Sequence, residues 1–265
     1  MPTDISNSDR EAFHGGNNYN SNQSHQPKYA QNISGVSLSI AKVFLYMFIG
    51  LLITATVAFG VGALVYYQIV VNGNGEITTP YLIALIVSAI LLFVDMLVIN
   101  FVILKGKHSI LIPGIIYAVL VGILFSMLTI VVDWKLIGMA FGVTALAFLV
   151  MSLIAFLSKG NMSPILIVVF GLLIGAGLLS LFNWIIMLTT GGMFESLYWI
   201  VSFAIFAVVL FITIFDLWRI KKIAEQGMMS NNLALYCAFV IYVDFINVFI
   251  RVLYFIILIM GKYRR

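Results

Sequence analysis

Residues 81–104 read YLIALIVSAILLFVDMLVINFVIL, an apolar run of 24 residues whose only charge is Asp95. Crossing the ~30 Å hydrocarbon core of a bilayer takes about 20 such residues in a helix. This run is long enough. Six more lie around it, at about 41–71, 110–132, 136–157, 164–188, 197–218 and 233–260. In lipid a backbone N–H or C=O must be satisfied within its own segment, so each run is expected to be helical; the alternating polar pattern of a barrel is absent. The expected fold class is an all-α integral membrane protein with seven transmembrane helices.

Composition agrees, with 63% hydrophobic and 9% charged residues and a mean hydropathy of +1.13, against roughly 25% charged residues in a soluble domain. The formal net charge of +4 does not point to nucleic acid, because the basic residues are scattered singly or in pairs between apolar runs. The expected partner is the lipid bilayer. Cys237 is the only cysteine and lies inside an apolar run, so it reads as a small packed hydrophobe. No Cys/His cluster suggests zinc or haem, and no cofactor is expected.

Residues 1–39 are rich in Asn, Ser, Gln, Gly and His and lack the apolar surface to fold alone. They are expected to form a disordered polar tail ahead of a membrane domain at 40–265. A polar lead of this length does not fit a secretory signal, so the first helix is expected to be retained. Placing the tail and the loops after helices 2, 4 and 6 on one side collects nine basic residues there; four fall on the other side and Arg251 within the last run. Positive-inside bias therefore makes the tail cytoplasmic. The basic C-terminus would prefer that same side, which would follow if the last run did not cross. Gly138-x-x-x-Gly142 and Gly171-x-x-x-Gly175 read as faces for close helix packing.

Besides Lys42 at the edge of the first run, four charged residues lie within the runs: Asp95, Asp216, Asp244 and Arg251. Each costs ~2.5–3.5 kcal/mol at bilayer depth on insertion scales and so asks for a partner or a role. At ~1.5 Å of rise per residue, Asp95 and Arg251 fall level with each other, and an ion pair between helices 2 and 7 is expected. Asp216 and Asp244 are shallower and can face each other. On spacing alone, Asp216 can be a half-solvated end residue beside Arg219, with Asp244 bonded to a neighbouring hydroxyl or to Tyr242. The sharper alternative is a carboxyl pair sharing one proton, bridged when acid and parted when alkaline. Once ionised, the pair offers the hard oxygens that calcium prefers.

The final-run sequence Tyr242-Val243-Asp244-Phe245-Ile246-Asn247-Val248-Phe249 resembles the signature of the Bax inhibitor-1 family, also called the lifeguard or transmembrane Bax inhibitor motif family. Phe215-Asp216-Leu217 before Lys221-Lys222, the run Ala140-Phe141-Gly142-Val143-Thr144-Ala145, and Phe182-Asn183 also fit; together these cover about 40–260. The resemblance implies seven helices with the last one central, and a calcium leak gated by protonation of the aspartate pair Asp216 and Asp244, which would hold calcium at most transiently. It also implies a basic partner of that gate near the end of helix 2, where Lys105 and Lys107 stand in place of an arginine. Asp95 with Arg251 matches a deeper acid–base pair that recurs in the family. Bacterial relatives are plasma-membrane proteins, which the compact chain and short loops favour; eukaryotic ones are tied to endoplasmic reticulum or Golgi calcium and to suppression of cell death.

Two functions follow as expectations. One is a pH-sensitive, channel-like calcium leak, with calcium and protons as its ions. The other is a non-conducting protein that regulates a membrane protein partner, such as a protease, or a stress pathway. An intramembrane enzyme is not expected: His14 and His25 lie in the tail and His108 in a loop, and no Gly-x-Gly precedes Asp244.

Overall fold

The computed structural model describes residues 28–72, 79–105, 109–158, 160, 162–190 and 195–263. Among them are seven helices: α1 Lys28–Asn72, α2 Thr79–Lys105, α3 Leu111–Val131, α4 Trp134–Leu157, α5 Ser163–Thr190, α6 Glu195–Glu225 and α7 Asn231–Tyr263. No strand occurs among the described residues. Every apolar run has become a helix, as a backbone that must satisfy its own polar groups requires. Six of the helices are long and apolar enough to cross a bilayer, and in α5 the described apolar stretch is Gly171–Leu181. The chain is therefore a helical integral membrane protein. The first part of the expected tail, residues 1–27, lies outside the described residues, whereas α1 begins at Lys28, ahead of the apolar run, as a formed span can propagate helix into its flank.

Local chemistry sets the helix ends. Asp133 caps α4, its carboxylate accepting from the Lys135 N–H at 2.9 Å, which satisfies one of the orphan donors of a helix start. At the other end of α4, Lys221 reaches across from α6 and donates through Nζ to the carbonyls of Phe156 and Ser158, each at 2.8 Å. A cation at a helix C-terminus meets both the free carbonyls and the negative end of the dipole. Glu225 accepts from Lys222 at 3.1 Å and lies 3.6 Å from Lys221, completing the cluster at that end of the bundle.

α7 packs against α1, α3, α4 and α6, and α6 against α1, α4, α5 and α7, while α2 rests mainly on α3. Along α7 the positions Ala234, Ala238, Ile241, Phe245, Val248 and Val252 are buried, the i, i+3, i+4 stripe of a helix with a packed face. Cys237, Tyr242 and Asp244 widen that face, leaving Asn247 and Ile250 exposed between them.

Helices in lipid gain little from burying apolar groups against one another, since the tails are as apolar as leucine; close approach and internal hydrogen bonds matter more. Both occur where α1 meets α3 and α7. Tyr242 and Thr54 share a hydrogen bond of 2.6 Å, and the Thr54 hydroxyl also lies 3.0 Å from the Ala118 carbonyl. A Cβ on Gly122 would fall 2.9 Å from the Thr54 carbonyl oxygen and 2.7 Å from the Val57 Cβ, and one on Gly62 would strike Thr129. The anticipated packing glycines behave otherwise: among the described residues, a Cβ on Gly138, Gly142, Gly171 or Gly175 would meet nothing within 4 Å. The spacing of small residues does not by itself say which face a helix turns inward, and here the close-approach sites are Gly62 and Gly122.

Gly122→Val should overpack this contact and lower stability by ~1–3 kcal/mol, read as a lower thermal midpoint in detergent, while Gly138→Val leaves the midpoint unmoved. Tyr242→Phe should cost ~0.6–1.7 kcal/mol, the range for a buried interhelical hydrogen bond in a membrane.

Candidate functional site

Asp216 stands on α6 and Asp244 on α7, two helices that pack together. Helical periodicity sets the facing: Cys237 and Asp244 are seven residues apart, two turns on nearly the same side of α7, and both interact electrostatically with Asp216. Asp216 thus lies in electrostatic reach of both these turns of α7. Asp244 is 7% exposed, and its Oδ2 is buried without a hydrogen-bond partner among the described residues. Asp216 is half-buried. No hydrogen bond joins the two carboxyls among the described residues.

Neither a bond to Tyr242 nor a carboxyl–carboxyl bridge forms at Asp244 among the described residues. Its carboxyl does not bond Tyr242, because the tyrosine hydroxyl is turned to Thr54 on α1. Phe245 packs at 5.5 Å from both Phe141 and Phe148 of α4, fixing the helix on the side next to Asp244. The cation in electrostatic reach of Asp216 is Arg219, one turn further along α6 and exposed; sequence reasoning noted it only as a neighbour. Of the expected basic partners, Lys107 and the side chain of Lys105 lie outside the described residues.

Asp95 on α2 is 8% exposed, and its Oδ2 also lacks a hydrogen-bond partner among the described residues. It lies in electrostatic reach of Tyr117 on α3. No ion pair joins it to Arg251: the ion pairs among the described residues are those of Lys221 and Lys222 with Glu225. The reason is lateral. Asp95 belongs to a helix whose main neighbour is α3, while Arg251 stands on α7 among other partners.

A carboxyl without a partner in low dielectric must be neutralised or compensated. Asp244 is such a group, on a helix packed against the one that carries the half-buried Asp216 and its neighbour Arg219. No group of three or more His, Cys, Asp or Glu gathers among the described residues. Asp216 and Asp244 are therefore a pair rather than part of a larger ligand set.

Asp95→Asn should leave stability unchanged or raised, because no charge partner is orphaned, whereas breaking a buried ion pair costs ~3–5 kcal/mol. Thermal unfolding of Asp95→Asn, Arg251→Gln and the double variant checks this; a coupling energy beyond about 0.5 kcal/mol would reveal a pair.

The family model described as Inhibitor of apoptosis-promoting Bax1 matches residues 36–262, which includes both aspartates and all of the helical bundle beyond the first residues of α1. No curated protein and no solved structure matches the chain.

Proposed function

Because the chain belongs to the Bax inhibitor-1 family, we propose that it is a pH-sensitive, channel-like leak for calcium, gated by Asp216 and Asp244. The observation that carries this reading is the enclosed Asp244 Oδ2, without a hydrogen-bond partner among the described residues and in electrostatic reach of a second carboxylate on the neighbouring helix. Such a group stays in place only as the neutral acid or as a carboxylate with a cation beside it. Proton and calcium then compete for the same oxygens. Calcium seeks 6–8 oxygen ligands, more than two carboxylates provide, so the ion passes and does not stay.

Gating follows from like-charge repulsion. With a shared proton the α6 and α7 carboxyls can approach; with both ionised they repel, and the helices carrying them are biased apart. A final helix at the middle of seven crossings suits this role, since α7 touches α1, α3, α4 and α6 and a change at Asp244 reaches each of them. Arg219 would bias the ionised state of Asp216, with Lys105 and Lys107 as further basic neighbours of the gate. The tail would then face the cytoplasm of a bacterial cell, with the protein in the plasma membrane, or in endoplasmic reticulum or Golgi membrane in a eukaryote. The role needs no cofactor and involves no enzymatic step.

Reconstituted in liposomes, the protein should pass calcium at a rate that titrates with pH. Asp216→Asn and Asp244→Asn each remove an ionisable partner and should hold flux at one pH-independent level. If both variants keep the flux and the pH response of the parent chain, the gate is refuted. Silent liposomes together with co-purification of a stoichiometric membrane protein would favour the non-conducting regulator instead.

A further inference from the structure

The packing of α4 is one-sided. It rests on α6 and α7, while α3 is held mainly by α1 and α2, so a groove opens between α4 and the α1–α3 pair, with α7 behind it. The cavity there measures about 380 Å3. Its floor is Phe245, Ile246 and Phe249 of α7, and its walls include Leu51 to Phe59 of α1 and Trp134 to Phe141 of α4.

The lining chooses the chemistry of the occupant. Its two hydroxyls are already engaged, Thr54 with Tyr242 and Ala118, and Thr129 with the Ser126 carbonyl at 2.8 Å. Water or an ion would need two or more polar partners, and besides these hydroxyls the lining offers a single polar side-chain group, the Trp134 indole N–H at the rim. An apolar cavity of ~150 Å3 admits benzene, so this one has room for on the order of a dozen carbons. Eight residues of α1 give it a length of ~12 Å.

Its surroundings choose the source. The groove is continuous with the lipid-facing surface, its rim formed by Phe59, Trp134 and Phe141 at 52%, 71% and 44% exposure. Gly138 lies in the lining with open space where a side chain would stand, so a chain can lie against the helix backbone. Lys135, the residue after Trp134 in the first turn of α4, is exposed and makes no ion pair among the described residues. An interfacial tryptophan beside a free ammonium marks headgroup level, and the ammonium complements a phosphate there.

We propose that this groove is a binding site for one acyl chain of a bilayer phospholipid, whose phosphate is met by Lys135. The site lies toward the end of the bundle away from Lys221 and is separate from the aspartate pair.

The test is native mass spectrometry of the full chain purified in mild detergent, with added phosphatidylethanolamine, diacylglycerol, or inorganic phosphate as probes. The parent chain should retain one phosphatidylethanolamine. Gly138→Phe and Ala55→Phe, which project rings into the groove, should lose it, and Lys135→Gln should weaken retention several-fold for the phospholipid but not for diacylglycerol. Inorganic phosphate should neither bind nor compete. Retention unaltered in the filling variants overturns the site, as does displacement of a co-purified protein helix with the lipid count unchanged. Equal effects of Lys135→Gln on both lipids overturn the headgroup contact. Circular dichroism and thermal midpoint verify folding; should one filling variant misfold, the other and Lys135→Gln decide.

Discussion

A bundle dissolved in hydrocarbon cannot rely on water to press its helices together, and in this chain the short contact between Tyr242 and Thr54 shows what takes over. That 2.6 Å hydrogen bond ties α7 to α1, and the same threonine lies 3.0 Å from a carbonyl of α3. The contact is possible because neighbouring positions carry no bulk: the Tyr242 ring would stand 3.2 Å from a Cβ on Gly50, and Gly122 lets α3 lie against the Thr54 carbonyl. In lipid such a bond contributes only a fraction of a kcal/mol to about 1.7 kcal/mol. Its value is geometric, since a polar group left alone in hydrocarbon fixes the orientation that satisfies it. Once the Tyr242 hydroxyl is committed to α1, the azimuth of α7 is fixed, and with it the direction in which Asp244 points.

Helix existence was legible in the sequence because the solvent enforces it. An apolar run of bilayer length has only one way to satisfy its backbone, so the runs 81–104 and 110–132 could be read as α2 and α3 with ends displaced by a few residues. Rise per residue gives relative depth along a helix. Asp216 and Asp244 were placed near each other on that ground, and the structure puts them on packed helices, within electrostatic reach and without a hydrogen bond between them among the described residues. What depth arithmetic cannot supply is the angle around the bundle. Asp95 and Arg251 can stand at one level and yet belong to helices with different neighbours, and no ion pair forms between them. Small-residue spacing failed for a related reason. Gly138 and Gly142 share a helix face, but that face opens away from protein contact, and no single-sequence signal distinguishes it from the face of Gly122.

Lys221 shows a third limit. In sequence it is one of several basic residues marking a membrane edge, which is how topology uses it. In the structure it donates to two carbonyls at the end of α4 and lies beside Glu225. This cap has no local signature because its acceptors are more than 60 residues away along the chain. It nevertheless bears on the aspartate pair: Lys221 and Asp216 share the last turns of α6, so the end of α4 and the carboxyl facing α7 are held by one stretch of helix. Four residues of α6 lie between them, a little over one turn.

The same economy of position holds on α7. Asp244 faces α6, while Phe245, one residue on and about 100° around the helix, packs against Phe141 and Phe148 and floors the groove beside α4. A rigid helix cannot turn one of these faces without turning the other. Tyr242 adds a third constraint on a third side, toward α1. Within four residues α7 thus carries a hydrogen bond, a buried acid and an aromatic contact, each directed at a different neighbour. Any displacement of α7 at Asp244 therefore acts on the Tyr242 bond to α1 or on the packing of Phe245 against α4. Sequence places these residues side by side, and only the packed bundle makes them opposing restraints on a single element.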